Sequence, residues 1–285
     1  MGARPPMNRP SAAGGGGIVI PPQPEHPAVM DEAVIWLDEL GAIWDGNLQL
    51  VGWTNRGTGG ATYDIASMED SSITSPVYRT GNDAQSRPAL NMADPGSRGY
   101  IASPTSIDTN NWEGEAWVVC RYGYNGEQGV QSRGWLMDQH PAQASTDNEH
   151  LRLRISHVGL ITEPHPRPNI NVGKGPGQGA SGVNAQQDID QEWGLWRGNY
   201  DRAGSRPSLW VTRPVPQFNS VGGVVMAANY SRICYFGYET ANSQNWRGGI
   251  AEFLIFDRLL TDQEAADVED YLDLKWACGQ YGFDP

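Results

Sequence analysis

Lysine and cysteine are scarce in this chain. Of its 20 basic residues only Lys174 and Lys275 are lysine, and 33 acidic residues leave a formal net charge of −13. No Lys/Arg-rich run offsets that charge, which argues against nucleic acid and against a membrane surface as partners. Three cysteines, Cys120, Cys234 and Cys278, are scattered and odd in number. None stands in CxxC or CxxH spacing, so neither a zinc site nor a disulfide framework is expected. Cys120 and Cys234 lie in strand-like runs and read as small buried apolar residues. No apolar run approaches the roughly 18 residues that crossing a bilayer requires. The opening MGARPPMNRPSAAGGGG has no apolar core of the signal-peptide kind, so folding in the cytoplasm where the chain is made is expected. The five histidines, His26, His140, His150, His157 and His165, show no HxxxH spacing, and no GxSxG or Walker loop occurs.

What is abundant is punctuation. Thirty-five Gly and 20 Pro among 285 residues suit many short strands joined by turns. Residues 1–33 stand apart: Pro5, Pro6, Pro10, Pro21, Pro22, Pro24, Pro27 and the run Gly14–Gly17 cannot bury enough apolar surface to fold alone. They read as an extended arm, with the folded domain running from 34 to 285. Such an arm holds a shape only where something fixes it. Ile18, Val19 and Ile20 are the residues that could add as a strand to a neighbouring subunit's sheet edge; docking on the arm's own domain is the alternative.

From Val34 on, strand signals dominate. Ala116–Tyr122 is the clearest central strand, rich in β-branched and aromatic residues. Leu151–Ile155 alternates strictly. Trp193–Trp196, Ser208–Thr212, Gly223–Met226, Ile233–Gly237 and Gly249–Phe256 supply further strands. Residues 163–187, dense in Gly and Pro, read as one long loop. A single helix closes the chain. Thr261 is its N-cap and Glu264 completes a capping box. Lys275 suits the negative end of the helix dipole. Val268, Tyr271, Leu272 and Trp276 form one apolar face, and Gly279 ends the helix.

The segments Gly249-Ile250-Ala251-Glu252-Phe253-Leu254-Ile255-Phe256-Asp257-Arg258-Leu259-Leu260-Thr261-Asp262-Gln263-Glu264, Tyr271-Leu272 and Lys275-Trp276 resemble the closing signature of concanavalin A-like, laminin-G-type jelly rolls. Val34-Ile35-Trp36-Leu37-Asp38 resembles the opening strand of that family, and Arg87-Pro88-Ala89-Leu90 one of its inner segments. The resemblance implies an all-β, antiparallel concanavalin A-like β-sandwich with a C-terminal capping helix. It implies little about activity, because lectins, adhesins, glycosidases and virion proteins share this fold.

Asp188, Asp190 and Glu192 are the one catalytic candidate, since they resemble the carboxylate strand of β-glucanases. Period-two geometry puts all three on one strand face. Neighbours on that face lie roughly 6.6 Å apart and the outer pair roughly 13 Å, against the ~5–5.5 Å that retaining hydrolysis wants. A solvated acidic turn is the competing reading, and no enzymatic activity is expected. No cofactor is implied. Calcium, the usual metal of related jelly rolls, would need loop oxygens, for which Asp64, Glu69, Asp70, Asp138 and Asp147 are the donors available. Sugar binding would use aromatics beside polar, turn-rich segments, namely Trp135, Trp193, Trp196, Tyr200 and Trp246.

Two functions follow as expectations. The first is a non-enzymatic structural protein of a large assembly, a bacteriophage capsid decoration or tail component assembled in the host cytoplasm. Residues 1–33 would anchor it to copies of itself or to a capsid or tail protein. The second is a carbohydrate-binding or adhesin module of a bacterial surface or secreted protein. The two overlap, since a virion jelly roll can also bind host glycans; a glycoside hydrolase is the remote alternative.

Overall fold

Along Gly114–Tyr122, side chains point alternately to two sides, and both sides are buried. Ala116, Val118 and Cys120 join one apolar cluster, while Trp117 and Val119 join a second. A strand covered on both faces is the middle of three layers. The computed structural model that shows this describes residues 24–45, 50–65, 78–79, 89–91, 101–108, 113–122, 135–139, 151–156, 167–173, 180–184, 193–213, 216–225, 231–236 and 248–278.

The strands in chain order are β1 (Ile35–Leu37), β2 (Ala42–Trp44), β3 (Leu50–Trp53), β4 (Tyr78–Arg79), β5 (Leu90–Asn91), β6 (Ile101–Asp108), β7 (Gly114–Tyr122) and β8 (Trp135–Gln139). They continue with β9 (Leu151–Ser156), β10 (Arg167–Gly173), β11 (Ala180–Asn184), β12 (Trp193–Asp201), β13 (Arg206–Arg213), β14 (Gln217–Ser220), β15 (Ser231–Phe236) and β16 (Gly248–Phe256), before the helix α1 (Asp262–Trp276). One sheet runs β14-β13-β12-β7-β16-β5-β4, with β1 also paired to β16; the other runs β11-β10-β9-β8-β15-β6. The hairpin β2-β3 stands apart, and every described pairing between strands is antiparallel. The first cluster fills the space between the sheets, where Ile170 and Val183 meet Val118, Leu209, Val211 and Phe253. The second lies on the outer face of the larger sheet, beneath α1. This is the antiparallel jelly-roll sandwich with a capping helix that the sequence leads one to expect.

The helix forms for local reasons. Glu264 N donates to Thr261 Oγ1 at 3.3 Å and Thr261 N to Glu264 Oε2 at 2.8 Å, a complete capping box. Ala265, Val268, Tyr271, Leu272 and Trp276 turn inward. Ala277, at φ 49°, ends the helix in the left-handed region; Gly279 lies outside the described residues.

Three features depart from expectation. Within 163–187 the chain forms β10 and β11, with Ile170 paired to Val183 and both buried. The glycines and prolines of that stretch hide a period-two alternation in which Pro168 and Ile170 face inward. Within Gly223–Met226, the described part is no strand: Val224 N bonds Ser205 O at 2.9 Å, and Gly223 takes φ 75°, which glycine tolerates without strain. Finally, the domain begins before Val34. Val29, Met30 and Ala33 are buried in the second cluster, and the His26 ring packs edge-on against Trp36 at 5.0 Å. Proline-rich composition disguised an apolar pair that docks on the chain's own helix side. The Ile18–Ile20 segment lies outside the described residues.

Lys275 does more than face the helix dipole. It is buried, with Nζ 2.8 Å from Glu252 Oε2, 3.0 Å from Glu39 Oε2 and 3.3 Å from Asp38 Oδ2. Trp36 Nε1 and Trp276 Nε1 donate to the two Glu252 oxygens at 2.7 Å each. Arg56 pairs with Asp38 and lies over the Trp36 ring, 4.1 Å from its centroid. Burial works against the ammonium charge, but Glu252, Asp38 and Glu39 outweigh it and hold the lysine pKa well above its usual value. The residues that carry the resemblance thus converge on one sealed ion cluster. It joins β1, β16 and α1.

Candidate functional site: an aromatic ladder open at the sheet edge

On the helix side of the larger sheet, cross-strand registry lines up one side chain per strand. Trp36 of β1 pairs with Leu254 of β16, Leu254 with Trp117 of β7, and Trp117 with Arg197 of β12. Arg197 then pairs with Trp210 of β13, and Trp210 with Phe218 of β14. The row starts in the apolar layer under α1, where Trp36, Leu254 and Trp117 are buried. It ends at the edge strand, where Phe218 is 53% exposed.

The outer members stack like leaves. The Arg197 guanidinium lies 5.2 Å from the Trp117 ring centroid and 4.3 Å from that of Trp210. Trp210 and Phe218 stand 4.9 Å apart, tilted by 39°. Such cation–π and ring contacts contribute about 0.5–1.5 kcal/mol each beyond burial. Among the described residues no ring or guanidinium continues the stack beyond Phe218.

A polar row runs beside it. Phe256, Glu115, Asn199, Ser208 and Ser220 pair in that order across β16, β7, β12, β13 and β14. Glu115 Oε2 accepts from Arg197 Nε at 2.9 Å and from Arg197 Nη2. Trp117 Nε1 and Asn199 Nδ2 add contacts at 3.4 Å each. Burial raises the Glu115 pKa, and Arg197 opposes it. The Asn199 amide oxygen is buried with no hydrogen-bond partner among the described residues.

Three of the five aromatics expected to bind sugar are placed otherwise. Trp193, Trp196 and Tyr200 all lie on β12 and are 5%, 2% and 1% exposed. Tyr200 Oη donates to Val224 O at 3.0 Å, and Trp193 covers Gly249, where a Cβ would come within 2.6 Å of its ring. All three are core residues, a correction that follows from β12 being a central strand buried on both faces. Trp135 opens β8, a strand whose side chains are not described; Trp246 lies outside the described residues, as do Asp188, Asp190 and Glu192. Of the calcium donors, Asp64 accepts from Asn55 N at 2.7 Å, Asp138 lies on β8, and Glu69, Asp70 and Asp147 fall outside the described residues. Among the described residues no group of three or more His, Cys, Asp and Glu could hold a metal ion.

Sequence reasoning missed Trp210, Phe218 and Arg197. One signal was present. In Ser208-Leu209-Trp210-Val211-Thr212 the alternation puts Leu209 and Val211 inward and Trp210 on the polar side with Ser208. A tryptophan on the polar face of a strand is the residue to question.

No family model matches the sequence, and neither does any curated protein. Solved structures do resemble the fold. The botulinum neurotoxin serotype G binding domain shares 11% identity at a TM-score of 0.51, covering 85% of this chain and 51% of that one. A second structure, of the botulinum neurotoxin type G receptor binding domain, shares 13% identity at a TM-score of 0.50 over the same shares. The CBM40 of Ruminococcus gnavus IT-sialidase shares 9% identity at a TM-score of 0.42, covering 54% of this chain and 80% of that one. This chain spans about half the length of the neurotoxin domains. At these identities the likeness is one of fold.

Proposed function

We propose that this chain is a non-catalytic recognition module that binds glycan at the open end of the ladder. One observation carries the reading: a stack of Trp117, Arg197, Trp210 and Phe218 ends in a half-exposed ring on an edge strand, beside a row of amide and hydroxyl groups. Pyranoses present a face of C–H groups that stacks on aromatic rings, while their hydroxyls need hydrogen-bond partners within reach. The described carboxylate of the polar row, Glu115, is spent on Arg197, which supports a binding role over acid–base chemistry. The recognition role suits a fold whose neighbours include neurotoxin receptor-binding domains. An anchoring role for the leader would fall to residues 1–23, since 24–33 pack on the domain.

The test is a glycan screen followed by calorimetry on Phe218→Ala and Trp210→Ala, with Leu274→Ala as a surface control on the far side of α1. Binding that drops at least about tenfold in the first two and persists in the control is expected, as for loss of one stacking contact. Full binding by Phe218→Ala would overturn the assignment.

A further inference from the structure

We propose that the open end of the ladder selects neutral sugars and refuses acidic ones, because Glu115 cancels the charge of Arg197. This rests on the glycan-binding reading above and adds the chemical class of the ligand.

Three observations point the same way. First, both Arg197 Nε and Nη2 donate to Glu115 Oε2, so one side of the guanidinium fork is filled. Its two faces are covered by Trp117 and Trp210. Secondly, the next described cation on this face is paired. Arg206 faces Asp201 at 3.6 Å in the adjoining cross-strand pair. Arg197 and Arg206 are thus matched by Glu115 and Asp201, and Glu113, which accepts from the Arg202 backbone N–H at 3.1 Å, adds a further carboxylate. Thirdly, the ring that ends the stack offers the negative face of its quadrupole. That face attracts the C–H side of a neutral pyranose and repels a carboxylate. A chain of net charge −13 adds a long-range field of the same sign.

Glu115 is therefore the residue that sets ligand charge, acting through Arg197. Replacing it by glutamine keeps an acceptor for the guanidinium but uncovers a positive charge behind the stack. Ser220→Arg achieves the same from outside: Ser220 shares the outer face of β14 with Phe218, and its replacement leaves the buried pair intact.

The experiment is calorimetry with cellohexaose, xylohexaose, mannohexaose and galactohexaose as neutral probes, and hexagalacturonate and 3′-sialyllactose as acidic ones. The unaltered protein should bind at least one neutral probe and each acidic probe at least about tenfold more weakly. Glu115→Gln and Ser220→Arg should each narrow that gap by about tenfold, the effect of one uncompensated charge near a protein surface. Raising salt to about 1 M should abolish the gain. Acidic probes bound as well as neutral ones by the unaltered protein would overturn the charge rule while leaving glycan binding in place. So would an unchanged gap in a correctly folded Ser220→Arg, should Glu115→Gln not fold. Binding of neither class would remove the glycan reading itself.

Discussion

Lys275 Nζ lies 2.8 Å from Glu252 Oε2, and neither side chain reaches solvent. The contact ties the end of α1 to the last strand, and Asp38 brings the first strand to the same point. Lys275→Met would leave Asp38 paired with Arg56 but would take the lysine charge away from the buried carboxylates of Glu39 and Glu252. A loss of about 3–5 kcal/mol is expected, as when one partner of a buried ion pair is removed. Urea denaturation measures it; a loss under about 1 kcal/mol would show that the cluster does not need the lysine charge.

Alkali should unfold the protein through the same cluster. The Lys275 pKa is raised in the folded state, and burial, with Glu252 next, pushes the Tyr271 phenol up to about 12 from 10.0. A raised pKa stabilises fully below the unfolded value and is lost as pH climbs through the folded one. Stability should therefore decline from about pH 10 upward, and tyrosinate absorbance should appear together with loss of near-ultraviolet dichroism. Titration of Tyr271 at its ordinary value, with structure intact, would contradict this.

Acid should loosen the start of α1. Hydrogen bonding to Arg258, and then to the Thr261 backbone, lowers the Glu264 pKa from 4.5 to about 2. A lowered pKa stabilises above the unfolded value and is lost as pH falls through the folded one, so the window is 4.5 down to 2. The side chain is partly open to solvent, which keeps the effect small. Glu264→Gln should flatten stability against pH in that window, and Thr261→Ala should cost about 1 kcal/mol at neutral pH.

Trp196 and Phe218 should behave as opposites. Trp196→Ala empties a fully buried site and should cost about 3–5 kcal/mol. Phe218→Ala, on the exposed edge, should stay within about 1 kcal/mol of the parent while losing sugar binding. Thermal melts beside binding isotherms separate the two.

Gly249→Ala should destabilise by about 1–3 kcal/mol. The added methyl would sit 2.6 Å from Trp193 Cη2 and 3.3 Å from Leu90 O, so either the ring or β5 must move. A neutral result in denaturant titration would mean that Trp193 turns aside freely.

Much of the architecture was open to sequence reading because it is local. Ala116–Tyr122 became the centre of the larger sheet, and Thr261 with Glu264 became the cap of α1. The reading failed where composition overrode pattern. Glycine and proline around Ile170 and Val183 suggested loop, though the alternation of strands was there, and prolines ahead of Val29 and Met30 suggested an arm. Three of the five binding candidates are core residues for another reason. Trp193, Trp196 and Tyr200 stood beside polar neighbours in sequence, but alternation turns the neighbours of a strand residue to the opposite face.

The sequence alone determined the elements: a chain of short antiparallel strands ending in a capped helix, because periods of 2.0 and 3.6 residues and the chemistry of turns act over a few positions. It determined the acidic balance of the chain as well, a net charge of −13, since charge is a sum over composition. Only the tertiary structure decided which polar groups meet. Lys275 and Asp38 are 237 residues apart in the chain, and Arg197 and Glu115 are 82 apart. Their pairing is set by which strands lie side by side and in what register. That choice is made by burying two apolar faces at once, a property of the whole sandwich that no single segment carries.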